Sequence, residues 1–519
     1  YVPMFRSKSL ISSVASAGFS LCAATSVVIA SAPGDAGNGD WPSYNRTLQS
    51  DRYAPQTEIT PANASTLREV CSYSLDHPTS FETGPIEQDG VIYITSTYET
   101  VALNAENCAV KWRVTEHYKQ AMPLDVNRGT AIAEGKLIRG TQDGRVLAYD
   151  LQTGKRAWER WIANPKLAET VPAAPIAWQG LVFVGNAGGD YKGVKGRMYA
   201  LDAKTGQIVW EQYLVPRTAG DVARGPAAPA PQFPADSWKN APDVPISGGA
   251  TWTSYTLDPA TGTLYVPGGN PAPDFAQQLR PGGNPFAGSV VALDARTGKV
   301  EHVYPLVTRD FHDYDVSAAP ALITTPGGIR LAATAIKDGH IYGIDTQSGH
   351  VIWRVATTTI ENPNVPITAS GTHFCPGTQG GTEWNGPAYS PQTHKIYVGS
   401  VDWCASIKLG EEDEVKDVPI GTQWSGSASK DHPFGDFDPP GHWAGWLRAL
   451  DPDTGKLVWV RKLPAPVVSG VTVTAGGVVF AGDISGQLYA FDASTGKTVW
   501  STTTPGGIGG GIISYTTHD

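Results

Sequence analysis

The chain has 519 residues, a formal net charge of -10 and only 17% charged residues; this excludes a basic nucleic-acid-binding surface and argues against a disordered chain. Glycine (58) and proline (40) are abundant, tryptophan (16) is well above ordinary usage and methionine (3) is scarce, which points to one large β-rich unit.

Residues 1–32 read as a signal peptide. Met4 is followed by Arg6 and Lys8, by a small and apolar run from Leu10 to Ile29, and by Ala30-Ser31-Ala32, so cleavage would leave Pro33 first. Residues 1–3 precede this pattern and are not explained by it. No later segment is apolar enough to span a bilayer. The expected location is the periplasm or beyond, with 33–519 as the folded domain. Beyond Cys22 there are four cysteines, Cys71, Cys108, Cys375 and Cys404. An even number in an exported chain favours disulfides, and three pairings are open; Cys71–Cys108 with Cys375–Cys404 joins sequence neighbours and closes the loops most cheaply. No C-x-x-C-H occurs, so covalently attached haem is not expected.

One phrase recurs along the chain. It reads DGRVLAYDLQTGKRAW at 143–158, GRMYALDAKTGQIVW at 196–210, DGHIYGIDTQSGHVIW at 338–353, GWLRALDPDTGKLVW at 445–459 and SGQLYAFDASTGKTVW at 485–500. Weaker copies end at Trp112 and Glu301. Each copy alternates apolar and polar residues, turns at a D-x-x-T-G-K element and alternates again, which predicts a β-hairpin with glycine where positive φ is needed. The closing Trp is placed to dock between neighbouring units. Units of about 40–60 residues divide the mature length into about eight, so the expected fold is all-β, a single eight-bladed β-propeller. Seven blades with long insertions is the alternative. Strands near 41–53 and after 470 are expected to share a blade and close the ring.

Against this regular background six segments stand out. They are Asp125-Val126-Asn127-Arg128-Gly129; Ala187 to Gly193, with Asp190; Gly248 to Trp252 with Pro267 to Pro271, including Asn270; His312-Asp313-Tyr314-Asp315; Lys337-Asp338-Gly339; and Cys375 to Cys404, with Glu383-Trp384-Asn385 inside it. Asp313 and Asp315 lie two apart, so in an extended segment their carboxylates share one side and repel unless a hard cation or a proton intervenes. Singly, each has an ordinary reading: Trp252 as core, Arg128 as an ion-pair residue, Asn270 and Asp190 as turn residues, His312 as a local hydrogen-bonding group. The ordered set carries the weight.

From Trp41 to about Tyr515 the repeats and these segments together resemble the pyrroloquinoline quinone (PQQ)-dependent alcohol dehydrogenases, the group that includes the methanol dehydrogenase large subunit. The resemblance implies a haem-free quinoprotein. Arg128 would pair with a carboxylate of the quinone, Thr141 would hydrogen-bond its rim, and Trp252 would be the floor on which it stacks. Glu383 and Trp384 would lie beside it. Asp190, where the family usually has Glu, with Asn270, Asp313 and Asp315, would hold a metal ion. In this family the additional Asp two residues after the base goes with lanthanide use, so a lanthanide is expected, with Ca²⁺ close behind. Asp313 would accept the proton of an alcohol substrate, and Lys337 would stabilise charge on the quinone oxygens. Electrons would pass to a separate cytochrome c. Cys375 and Cys404 match a disulfide of the family.

Three departures are visible. Asp190 is shorter than Glu and Lys192 is an extra residue after it. Met122 and Pro123 stand where the family often has two adjacent cysteines. Glu383 stands where many members have Asn. The altered cover permits a wider pocket, so a quinoprotein for sugars or for bulky or polymeric secondary alcohols is an alternative, and a non-catalytic assembly-scaffold propeller is another.

Overall fold

The computed structural model describes residues 2–6, 39–77, 79–118 and 124–517, with backbone alone for 2–6. The expected signal peptide therefore falls almost wholly outside the described residues; of it, only Val2–Arg6 is described, as a strand antiparallel to Arg68–Tyr73. Met122 and Pro123 also lie outside the described residues.

Each repeat forms the two outer strands of a four-stranded antiparallel sheet. Seven such sheets are present among the described residues. Their first strands are Ile86–Gln88, Thr130–Ala133, Ile176–Trp178, Thr256–Asp258, Ala321–Thr324, Ala388–Ser390 and Thr472–Thr474. The seventh also carries Tyr53–Ala54, parallel to Thr472–Thr474, so segments from both ends of the chain share one sheet. Consecutive sheets pack face to face, as their shared apolar clusters show. Ile138 and Val146 of the second sheet pack with Val182 and Tyr199 of the third. Phe183 and Trp210 of the third pack with Leu264 and Val291 of the fourth. Tyr397 and Leu447 of the sixth pack with Val479 and Phe491 of the seventh. That is the radial packing of a propeller. The segment from Ile59 to Tyr73 lies between the seventh sheet and the first: Ala64 and Leu67 join Val478 and Phe480, and Cys71 and Tyr73 join Ile92 and Leu103.

The repeat sequence explains how blades dock. The indole N–H of Trp112, Trp158, Trp210, Trp353 and Trp459 donates to the carbonyl oxygen of Leu151, Ala203, Ala295, Pro452 and Ala493, each in the turn of the next blade, at 3.0–3.1 Å. The turn glycine lies against the same ring; a Cβ on Gly206 would sit 2.5 Å from Trp158. This glycine is required twice, by its φ of 69° and by the indole face. All seven outer hairpins carry a register shift at the same point before the turn, as between Ala148 and Tyr149.

Cys71–Cys108 and Cys375–Cys404 are disulfides. The first ties Arg68–Tyr73 to the turn of the first blade. The one α-helix among the described residues, Glu412–Asp417, belongs to a long insertion within the sixth sheet, and no described helix is long and apolar enough to cross a membrane.

Candidate active site and metal centre

In an antiparallel blade the start of the innermost strand and the end of the second strand lie at the same end. Arg128, Trp252, Asp313, Asp315, Glu383 and Trp384 precede innermost strands. Asp190, Asn270 and Lys337 follow second strands. Five consecutive blades thus present these residues at one end of the ring, although they are spread over about half of the chain.

The contacts form a connected set. Arg128 donates to the Trp252 carbonyl oxygen at 3.1 Å and pairs with Glu82 at 2.6 Å. Its guanidinium lies 4.6 Å from the Trp252 ring centre and 5.2 Å from that of Trp384. The Lys337 ammonium lies 5.4 Å from the Trp252 ring, 3.2 Å from Asp313 Oδ2 and 2.8 Å from Asp315 Oδ2. Asp315 Oδ1 accepts the Asn270 backbone N–H at 2.6 Å. The Asn270 amide donates to Asp274 Oδ1 at 2.8 Å. One oxygen from each of Asp190, Asp274 and Asp313 falls within 4.8 Å of the other two.

Asp313 is held by its loop, not by a strand. Its φ is 65°, so the same-side argument for an extended Asp313–Asp315 pair does not apply. The two carboxylates converge because both reach Lys337. The loop is shaped by Asp310, whose carboxylate accepts the backbone N–H groups of His312 and Tyr314 at 3.1 Å each. Buried Arg280 donates to the carbonyl oxygens of Pro273, Asp274 and Asp310 at 2.6–2.8 Å, fastening the Asn270 loop to the Asp313 loop.

Burial dominates the electrostatics. It raises Asp313 well above the usual carboxylate range; Lys337 opposes this, while Asp315, Asp190 and Asp274 reinforce it. Burial and Asp190 likewise raise Asp274. Burial, then Asp315, pushes Asp190 up to about 6, and burial pushes Glu383 up to about 8. Burial alone lowers Lys337, but Asp313, Asp315 and Glu383 outweigh it and hold the amine above its ordinary value. Asp190, Asp313 and Asp315 therefore face the Lys337 ammonium, while Asp274 faces the Arg280 guanidinium. Such a group keeps protons, or it takes a multivalent hard cation in their place. Buried atoms without a protein hydrogen-bond partner cluster here too: Asp274 Oδ2, Glu383 Oε1 and Arg128 Nε. An all-oxygen donor set suits a hard ion, and an indole face flanked by a guanidinium and an ammonium suits a flat, acidic ring.

Thr141 is buried, but its hydroxyl donates to Asp143 Oδ1 at 2.5 Å within its own turn, so its described bonds do not join it to the hub. His312 packs among Phe311, Tyr314 and Phe374, away from the acidic oxygens, and burial lowers it to about 4. Lys192 turns away from Asp190. Its ammonium donates to the carbonyl oxygens of Lys416 and Val418 and lies 5.3 Å from the Trp424 ring, so the inserted residue serves the long insertion. Glu82, Asp274, Arg280 and Asp310 were not anticipated. The carboxylate four residues after Asn270 was the legible signal for Asp274, since it lies in the same loop.

Residues 41–366 match the family described as glucose/ethanol/alcohol dehydrogenase, β-propeller domain, and residues 444–513 match the family described as outer membrane protein assembly factor BamB. The lanthanide-dependent methanol dehydrogenase of Methylacidiphilum fumariolicum (strain SolV) is 29% identical over 491 residues, covering 86% of this chain and 78% of that protein. The quinohemoprotein alcohol dehydrogenase ADH IIB of Pseudomonas putida is 29% identical over 474 residues, covering 86% and 67%. Among solved structures, a europium-containing methanol dehydrogenase superposes with a TM-score of 0.79 at 27% identity, covering 92% of this chain and 87% of that one. With a family match over more than half of its length, carried on a propeller of docked Trp repeats, the chain belongs to the PQQ-dependent (quinoprotein) alcohol dehydrogenase family of oxidoreductases.

Proposed function

We propose that this chain is a periplasmic quinoprotein that oxidises an alcohol to an aldehyde or ketone and passes the electrons to a separate cytochrome c. The observation that carries the reading is the run of contacts from Arg128 through Trp252 and Lys337 to Asp313, Asp315 and Asn270, which joins the second, fourth and fifth blades at one buried point. A scaffold propeller has no use for three aspartates gathered around one buried lysine.

Trp252 would hold the PQQ ring by stacking, with Trp384 and Glu383 beside it, and Arg128 would clamp a carboxylate. Asp190, Asn270, Asp313 and Asp315 would hold the metal. When bound, PQQ supplies the two-electron redox chemistry and the ion supplies Lewis acidity. The protein's part is binding, exclusion of water and control of one proton. Asp313, ionised once a cation replaces its proton, accepts the hydroxyl proton of the alcohol. Lys337 remains an ammonium and keeps Asp313 and Asp315 oriented. The excess of carboxylates, Asp190, Asp274, Asp313 and Asp315 against Lys337 and Arg280, favours a trivalent over a divalent ion, so the preferred metal is a lanthanide, with Ca²⁺ next. The names of two relatives, lanthanide-dependent and europium-containing methanol dehydrogenases, agree with that preference.

The same reading takes the ring to have eight positions, the eighth lying between the seventh sheet and the first. In support, Arg68–Tyr73 lies there as a strand bonded through Cys71 to Cys108. An apolar cavity of about 300 Å³ lies beside it, lined among others by Ile59, Leu67, Ile92, Phe480 and Trp500. Gly509, which also lines it, accepts the indole N–H of Trp384 at 2.8 Å.

The test is reconstitution with PQQ and La³⁺ or Ca²⁺, followed by quinone absorbance and dye reduction across an alcohol panel. A protein that takes up no PQQ with either ion is a scaffold. Asp315→Ala tests the metal: activity lost with La³⁺ but little changed with Ca²⁺ supports the lanthanide, and an equal response to both rejects it.

A further inference from the structure

We propose that Asp274 is a ligand of the bound ion, a carboxylate additional to Asp190, Asn270, Asp313 and Asp315. The inference rests on the metal reading above. Asp274 is fully buried, and one of its oxygens lies within 4.8 Å of oxygens of both Asp190 and Asp313. Its two oxygens differ. Oδ1 accepts the Asn270 amide at 2.8 Å, whereas Oδ2 has no hydrogen-bond partner in the protein.

The nearby cation does not explain Asp274. Four of the five N–H groups of Arg280 are committed to the carbonyl oxygens of Pro273, Asp274 and Asp310 and to the side-chain oxygen of Asn284. Arg280 therefore grips the backbone of Asp274 and leaves its carboxylate without a salt bridge. Asp315 is the informative contrast. Its Oδ1 accepts the Asn270 backbone N–H and its Oδ2 faces Lys337, so both of its oxygens have protein partners. A buried carboxylate oxygen left open beside two other carboxylates is costly unless something positive sits among them. Asp190 carries one methylene fewer than the Glu that its position resembles, and Asp274 supplies a further carboxylate within 4.8 Å of it. Arg280, by fixing both loops, is the positioning residue that holds Asp274 and Asp313 facing each other.

The test uses the full chain and Tb³⁺ as the probe. Tb³⁺ affinity is read from luminescence sensitised by the nearby tryptophans, and the number of coordinated waters from lifetimes in H₂O and D₂O. Asp274→Asn is expected to weaken Tb³⁺ by about 10- to 100-fold, as for loss of a group that shapes a metal site, and to add about one coordinated water. Unchanged affinity and unchanged hydration in Asp274→Asn, with Asp313→Asn still weakened, would overturn Asp274 as a ligand and leave the metal site standing. No Tb³⁺ binding by the wild-type chain would overturn both. Thermal melting of the metal-free variants separates ligation from folding: a purely structural Asp274 shifts that melt and leaves the Tb³⁺ readouts of the folded fraction unmoved. Asp274→Glu, which retains the carboxylate, is expected to recover part of the affinity.

Discussion

The outer turns and the hub use the same residue in opposite ways. In the turns, Asp150 Oδ1 accepts the Thr153 backbone N–H at 2.9 Å and its hydroxyl at 2.6 Å, and Asp202 is held likewise by Thr205. Those hydrogen bonds hold both carboxyls below the usual range. In the hub, Asp190, Asp274 and Asp313 are enclosed, see one another and are raised by burial. A turn aspartate is therefore complete as folded. A hub aspartate is complete only with a proton or a cation, and that incompleteness marks the functional end of the ring.

The largest expected effect follows from removing the hub base. Asp313→Asn keeps the shape of the side chain but cannot take a proton. It should lower kcat by about 10²- to 10⁴-fold, with quinone absorbance retained after reconstitution. Full activity in this variant would remove Asp313 from the proton step. A smaller effect appears without mutation. An acid whose pKa is raised on folding holds a proton that the unfolded chain has released, so its stabilising contribution is present at low pH and is lost as pH rises through the folded value. For Asp190 that value is about 6 and for Glu383 about 8. The metal-free protein should thus melt at progressively lower temperature between about pH 5 and about pH 8, and La³⁺ should flatten the lower part of that slope by taking the place of protons. A melting temperature that rises over this window in the metal-free protein would contradict the assignment of raised acids to the hub.

The two regions were also unequally legible. The turns repeat a local rule, so D-x-x-T-G and the closing Trp could be read residue by residue, and the docking of Trp158 on Gly206 follows from period alone. The hub obeys no local rule. Arg128, Trp252, Asn270, Asp313 and Lys337 were legible as an ordered set and by resemblance, and the propeller then brings their positions together because strand starts and strand ends share one end of each blade. Asp274 reads as one more turn residue after Asn-Pro-Ala-Pro until the fold buries it. Arg280 sits in no motif, and its role is to bond backbone carbonyls, which side-chain patterns do not encode. Thr141 is the reverse case: a polar residue at the right end of a blade whose hydroxyl bonds within its own turn. Among the described residues seven complete sheets are apparent where division by unit length suggests eight; Arg68–Tyr73 is flanked by no repeat phrase of its own.

The smallest effect separates the two demands placed on a turn glycine. Gly206 has a φ of 69° and a Trp158 ring 2.5 Å from where its Cβ would stand, whereas Gly90 has a φ of 75° and nothing within 4 Å of its Cβ position. Gly90→Ala then measures the backbone term alone, about 1–2 kcal/mol for an L-residue in the left-handed region. Gly206→Ala adds the displacement of the indole, a further 1–3 kcal/mol or so for overpacking, and strains the 3.0 Å bond from Trp158 to Ala203. Denaturant melts of the two variants should differ by that second amount, while kcat and Tb³⁺ affinity stay at the wild-type level in both. Equal melts would mean that the indole moves aside freely and that blade docking rests on the strands; a fall in Tb³⁺ affinity in Gly206→Ala would mean that the outer turns and the hub are mechanically coupled, and the contrast between the two regions would not hold.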